Sequence, residues 1–358
     1  MGVRRGRPVL RTRLAAVLVG IPLALGAGAC QSLSVEEEAR LAVYRENSQH
    51  YYDRGDYARA LHQADSALAL DPDATSVRLV KGFCLLKLGS LAGNPVVIDK
   101  ALDEFEAIVR TNAGEDDFRV YLGLGSAHLA RALSFENTID RIESRLTSEF
   151  LPTDGRADEQ GRLDAAREER LDHLQQSETA LRRVLSFELQ KNNAFALVDL
   201  VLVLHSLGGR EVEAKETAEH ALSMLDENNV VTANSLQRNA ALSPIQRLDL
   251  ENRIEMNQEK ERQLRDLVAT IDLSLGNVRG FLEQMQLLEA RGLMAEVQYY
   301  NRAQVHEDMG LFAQAADDLE QYLRLRARRL DYEQDDMAPA TFARIEALRG
   351  RIGAQPGR

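Results

Sequence analysis

Residues 41–74 carry the pattern of two helices joined by a tight turn. Two amphipathic segments are separated by Gly55, whose missing side chain suits a turn with positive φ, and the second segment ends at Pro72. One face of the second segment carries three small residues, which let two helices approach closely: Ala60, Ala64 and Ala67. These features predict two helices that pack closely against each other across a tight turn.

The composition favours helices and limits the classes of function. Ala, Leu, Glu, Arg and Gln are frequent, aromatic residues make up 5% and tryptophan is absent, a mixture that favours helices over strands. Without residues 1–29 the chain has 39 basic and 56 acidic side chains, a net charge of −17, which argues against binding to nucleic acid. A hydrophobic content of 44% argues against general disorder.

The 41–74 segment resembles the tetratricopeptide repeat (TPR) almost throughout. Looser or partial units follow at 75–113, 118–131 with 174–193, 194–228 and 295–328. The resemblance implies an all-α fold, a right-handed superhelical solenoid of helix pairs in which the first helix of each pair lines a concave groove. It also implies protein partners and a scaffolding role, with no cofactor.

The remaining segments are assigned from local signals. The spacing of Ile139, Ile142, Leu146 and Phe150, followed by a breaker at 151–155, predicts an extended antiparallel helical hairpin over residues 132–173. A disordered insertion is the alternative. Ser34 and Ser243 each begin a capping box, and Gly276 ends a helix. The turn at 90–95 is several residues longer than the family pattern.

The resulting organisation has six parts. The first three are a signal peptide at 1–29, a lipidated tether at 30–34, and an N-terminal TPR array at 35–228 with its insertion at 132–173. An irregular long-helix segment follows at 229–293. Residues 294–350 hold a C-terminal TPR and a capping helix, the latter near 338–349, and residues 351–358 form a flexible tail.

The N-terminus has the features of an export signal. Five arginines precede an apolar run at 14–29, which is short for a membrane span and ends in small residues. Ala27-Gly28-Ala29-Cys30 resembles a bacterial lipobox, and the resemblance implies a Cys30 that is acylated and becomes the mature N-terminus. By the same resemblance, Gln31 fits sorting to the outer membrane, facing the periplasm. The alternative is ordinary cleavage before an unmodified Cys30, giving a soluble periplasmic or secreted adaptor.

The other thiol and the histidines have simple structural interpretations. Cys84 lies in an apolar run and is expected to be a small buried residue, although a disulfide with Cys30 is the alternative if Cys30 is not acylated.

His128, His205 and His306 occupy equivalent places in three repeats. A helix pair separates each from the next, too far for shared metal ligation, so we expect no metal.

The sequence lacks the phosphate-binding, dinucleotide, zinc-protease and nucleophile-elbow motifs, so we expect no catalysis and no small-molecule substrate. An envelope enzyme with an unrecognised site is the rival hypothesis. The TPR resemblance places the partner-binding groove on twelve residues: Arg45, Gln49, Tyr52, Phe83, Lys87, Leu122, Ser126, Asp199, Val203, Tyr300, Gln304 and Asp308. Phe83, Leu122 and Val203 could instead fill gaps between repeats.

Overall fold

The computed structural model describes residues 33–111, 115–147, 153–239, 241–328 and 337–354. The α-helices of these residues are α1 (Val35–Asp53), α2 (Tyr57–Leu70), α3 (Thr75–Ala92), α4 (Pro95–Arg110), α5 (Phe118–Ser134), α6 (Glu136–Leu146), α7 (Thr153–Ser186), α8 (Ala194–Leu207), α9 (Glu211–Arg238), α10 (Pro244–Ser274), α11 (Val278–Ala290), α12 (Glu296–Asp308), α13 (Phe312–Arg326) and α14 (Met337–Ala354). A short 3-10 helix, Glu188–Gln190, follows α7. Cys30 and the predicted signal peptide lie outside the described residues.

The helices pack as successive pairs. The pairs are α1 with α2, α3 with α4, α5 with α7, α8 with α9, α10 with α11 and α12 with α13, and each pair packs on the next. The all-α solenoid of helix pairs is therefore confirmed, whereas the handedness of its superhelix stays a prediction. None of the helices in the described ranges is long and apolar enough to cross a bilayer.

The helix ends follow from local chemistry. Ser34 and Ser243 both form the expected capping boxes, each accepting a hydrogen bond from the backbone N–H three residues later. Gly55 and Gly276 adopt φ of 75° and 73°, which confirms them as turn residues. Cys84 is fully buried, as expected, and burial raises the pKa of its thiol to about 12.

The segment after α5 is a helical hairpin merged with the third pair. A single residue, Phe135, separates α6 from α5, and α7 runs unbroken along both α6 and α5. Ion pairs Arg167–Glu143 and Arg170–Glu136 join α7 to α6. The predicted breaker is wrong in extent: Thr153–Gly155 already belong to α7, because a helix can start directly after a proline. Residues 148–152 lie outside the described part of the chain.

Three other boundaries differ from the sequence interpretation. The turn at 90–95 is short, because α3 continues to Ala92 and Gly93, at φ 57°, is followed by Asn94, which caps α4. The boundary drawn at 228 falls inside α9. The segment interpreted as irregular, 229–293, holds the regular pair α10 and α11, in which α10 has 31 residues and α11 has 13.

The C-terminus ends in one further helix. α14 packs on α13 through three buried residues: Ala338, Ile345 and Leu348. The tail predicted from 351 is helical as far as Ala354, because α14 continues through Gly353, and residues 355–358 lie beyond the described chain.

The aromatic ring of Phe105 packs at the contact of three helices, α3, α4 and α5. Phe105, on α4, is fully buried between Gly82 of α3 and Gly123 of α5. A Cβ at Gly82 would lie 2.7 Å from the Phe105 ring, and one at Gly123 would lie closer still. Since real side chains do not approach so closely, both positions need glycine for the ring to fit. Gly125 similarly meets Leu181 of α7.

Replacing Gly123 with alanine should therefore weaken the fold. We expect Gly123→Ala to lower the free energy of unfolding by about 1–3 kcal/mol, the usual cost of overpacking a core. Gly161→Ala is the matched control, because a Cβ at this helical glycine meets nothing within 4 Å, and it should be neutral or stabilising by up to about 1 kcal/mol. Urea unfolding measures the stability of both variants. Equal stability would contradict the close packing of the Phe105 ring against Gly123.

A pair of histidines lies between α5 and α7. Nδ1 of His128 and Nδ1 of His173 are 2.9 Å apart, so one ring donates the hydrogen bond and the other accepts it. Burial, together with the neighbouring His173 ring, lowers the pKa of His128 to about 4. Burial and the Arg131 cation also lower the pKa of His173. Both rings are therefore neutral in the folded protein at pH 7.

These lowered pKa values predict a loss of stability in acid. Below pH 6.5 the unfolded chain gains a proton on His128 that the folded chain accepts only near pH 4. The free energy of unfolding should thus fall by about 2 kcal/mol from this group between pH 7 and pH 5. His128→Leu removes the group, so its urea midpoint should fall less over this interval. Parallel pH dependence of the two proteins would contradict the expectation.

Candidate functional site

A concave cavity of about 510 Å³ lies on the inner face of the array. It is enclosed by α1, α3, α5, α8 and α10, the first helices of five successive pairs. This arrangement follows from the stacking, because each second helix packs behind its first helix. A cavity of this size, walled mainly by apolar side chains with a few polar groups, is typical of binding sites.

The structure brings together seven of the twelve predicted groove residues. Those that line the cavity are Gln49, Tyr52, Phe83, Lys87, Leu122, Ser126 and Asp199. They come from four helices and up to 150 residues of sequence, so only the regular stacking of the pairs places them in one site. Their role in partner binding stays a prediction.

One predicted groove residue is wrong. Val203 is fully buried in the core cluster that joins α5, α7 and α8. Asp199 lies one helical turn earlier on α8 and does line the cavity. α8 is surrounded by neighbouring helices, so most of its faces are buried and only its first turns reach the cavity.

Four predicted residues lie outside this cavity. Tyr300 packs against the cluster formed by α12, α13 and α14, with its ring 5.3 Å from that of Tyr322, because the capping helix covers this face. Gln304 and Asp308 are exposed elsewhere on α12. Arg45 is exposed beside the cavity and donates a hydrogen bond to Ser76, which lines it.

The sequence interpretation missed several residues of the site. Phe195 of α8 and Lys260 of α10 line the cavity, as do Arg119 and Leu133 of α5. Lys260 was missed because residues 229–293 were placed outside the array. The capping box at Ser243 and the turn at Gly276 mark the limits of α10, and could have placed it as the first helix of a further pair.

One wall of the cavity is a chain of aromatic rings. The Tyr52 ring lies 6.2 Å from Phe83 and 5.6 Å from Tyr57, and Phe83 packs edge-on against Phe105 at 5.1 Å. Burial raises the pKa of the Tyr52 hydroxyl well above its usual range. Tyr52 is thus half-buried in the wall, and its removal would affect the core as well as the surface.

The opposite wall carries the charged groups. Nζ of Lys260 lies 3.7 Å from the centre of the Phe195 ring, and burial lowers the pKa of this amine to about 8. Asp199 accepts a hydrogen bond from Ser126, and burial raises the pKa of its carboxyl. Lys87, which is exposed, lies near enough to act on both of these pKa values.

Two of the three equivalent histidines hydrogen-bond to the other helix of their own pair. His128 bonds His173, and Nδ1 of His306 lies 2.9 Å from the Asp318 carboxylate, which also pairs with Arg302. Nδ1 of His205 is buried without a hydrogen-bond partner. Among the described residues, no group of three or more His, Cys, Asp or Glu side chains could hold a metal ion.

Comparison with known proteins gives likeness to solved structures only. No family model matches the chain, and no curated protein does. A TPR protein of Thermus thermophilus is 15% identical, with 87% of this chain and 98% of that chain covered and a TM-score of 0.34. A TPR protein of Parabacteroides merdae is 12% identical, with coverage of 87% and 99% and a TM-score of 0.34. Yeast Tom70 is 10% identical, with coverage of 88% and 85% and a TM-score of 0.21. At such scores, the packing of the helix pairs themselves carries the assignment of the fold.

Proposed function

We propose that this chain is an adaptor that captures protein partners in its concave cavity and carries out no chemistry of its own. The main support is that the first helices of five successive pairs line one cavity with mainly apolar walls. Leu133 and Phe195 keep 37% and 42% of their surface exposed at this site. Exposed apolar side chains grouped in a recess are typical of protein interaction sites.

We also propose that the adaptor serves an assembly or maintenance machine of the bacterial envelope, held to the outer membrane on its periplasmic side by an acylated Cys30. The support is the lipobox-like sequence before Cys30. α1 begins at Val35, so the tether from Cys30 would span roughly 14 Å at about 3.5 Å per residue. The first helix pair would then lie close to the lipid headgroups.

The capture proposal predicts that removing an aromatic ring in the cavity weakens partner binding more than removing an exposed ring elsewhere. Phe195→Ala should weaken partner capture by about 1–2 kcal/mol, the range of a hot spot. Phe342→Ala on α14 is the matched control, because Phe342 is 54% exposed and lies outside the cavity. A photocrosslinking residue at Leu133 should trap the partner, and one at Phe342 should not.

Equal losses of capture in Phe195→Ala and Phe342→Ala would contradict the placement of the site. Thermal melting of both variants serves as the check on folding. Since both side chains are exposed, neither substitution leaves a core cavity, and each should change stability by less than about 0.5 kcal/mol.

The anchor proposal predicts that the protein leaves the membrane fraction when Cys30 is replaced. Cys30→Ser removes the acylated thiol, so the protein should move from the membrane fraction to the soluble fraction, because the acyl chains supply the membrane affinity. Immunoblots of salt-washed membranes measure the distribution. A variant that stays with the membrane after washing would contradict acylation, and a wild-type protein already in the soluble fraction would support the unanchored adaptor.

A further inference from the structure

We infer that the cavity receives an amphipathic helix of the partner, whose apolar stripe is flanked by acidic side chains. The inference rests on the proposed function and states the kind of segment that the adaptor captures. It follows from two features of the cavity: the hydrogen-bonding groups it leaves available, and the charges it leaves unpaired.

The backbone of the cavity walls offers nothing to an extended peptide. All five wall elements are α-helices, whose interior N–H and C=O groups are bonded within the helix. An extended peptide would have to bond its backbone groups to side chains or water, because a helical wall, unlike a sheet edge, supplies no backbone partners. A helical ligand arrives with those groups already satisfied.

Several polar side chains of the cavity are also engaged. Three hydrogen bonds occupy them: Gln49 donates to Asp53 at 2.7 Å, Arg45 donates to Ser76 at 3.2 Å, and Ser126 donates to Asp199. These groups lie where a peptide backbone would have to find its donors and acceptors. What the cavity presents to a ligand is therefore mainly apolar surface.

Two positive charges in the cavity have no partner of opposite sign at contact distance. Neither the Lys87 nor the Lys260 amine forms an ion pair with a carboxylate of the described residues, and Asp199 raises the pKa of Lys260 only from a longer distance. The Arg119 guanidinium, by contrast, is bound by Asp117 at 2.7 Å. Beside Lys260, Asp199 is half-buried, and its carboxylate accepts the Ser126 hydroxyl. Anionic groups of a ligand would therefore meet Lys87 and Lys260 first.

The size of the cavity fits several side chains rather than one. A volume of about 510 Å³ lies in the range of sites that hold drug-sized ligands. On a helix, apolar residues three and four positions apart share one face, so three or four of them would enter together. Leu122, Leu133 and Phe195, from α5 and α8, supply apolar surface for such a stripe.

Synthetic peptides test the inference directly on the full chain in detergent. The probe is a peptide of about 16 residues with leucines three and four apart, flanked by glutamates. One matched peptide replaces the glutamates with lysines, and another replaces two residues outside the leucine stripe with prolines. Fluorescence anisotropy should show tight binding of the acidic helix, with about tenfold or greater weakening for each matched peptide.

Two lysine variants locate the effect. Lys260→Met keeps an apolar stem while removing the charge, so it should weaken binding of the acidic helix about tenfold and reduce its dependence on salt. Lys100→Met is the matched control, because Lys100 is exposed on α4 and lies outside the cavity. Equal binding of the proline peptide would overturn the helical ligand, and equal binding of the lysine peptide would overturn its acidic character.

The outcomes separate this inference from the function on which it rests. If the acidic helix does not bind while crosslinks from Leu133 still trap partner proteins, the inference is wrong and the capture proposal stands. If the peptides do not bind and the crosslinker at Leu133 also traps nothing, both are wrong.

Discussion

The packing of the Phe105 ring between two glycines fixes the spacing of α3 and α5, two of the five helices that line the cavity. Gly82 and Gly123 bring α3 and α5 close to α4, and the buried ring fills the space that their missing side chains leave. Burying such a side chain contributes about 2–3 kcal/mol. Phe83 then packs on the edge of Phe105 and forms part of the cavity wall, so the core contact and the candidate site share one cluster of rings.

Much of the fold could be predicted because its determinants are local. The capping boxes at Ser34 and Ser243 and the turn at Gly55 need only neighbouring residues, and a repeat pattern then implies the stacking. Burial depends on neighbours distant in sequence, which is why Val203 was misplaced in the groove and Tyr300 was not expected beneath α14. The pair formed by α10 and α11 was missed because α10, with 31 residues, is nearly as long as a whole repeat of about 34 residues.

The charge of the cavity differs in sign from that of the chain. Residues 30–358 carry a net charge of −17, yet Lys87 and Lys260 face a recess in which the Asp199 carboxylate accepts a hydrogen bond from Ser126. The acidic exterior would repel anionic partners at long range, whereas the recess would favour them at contact. Acidic proteins in general are therefore repelled, and only a ligand that fits into the cavity reaches the two lysines.

The central claim is that the cavity lined by α1, α3, α5, α8 and α10 is the surface that contacts a partner. Hydroxyl-radical footprinting of the chain, alone and with its captured partner, tests this side chain by side chain. The account predicts that Leu133 and Phe195 lose their reactivity on binding, while Phe342 and Leu189, which are exposed elsewhere, keep theirs. Protection of Phe342 or Leu189 with undiminished reactivity of Leu133 and Phe195 would contradict it.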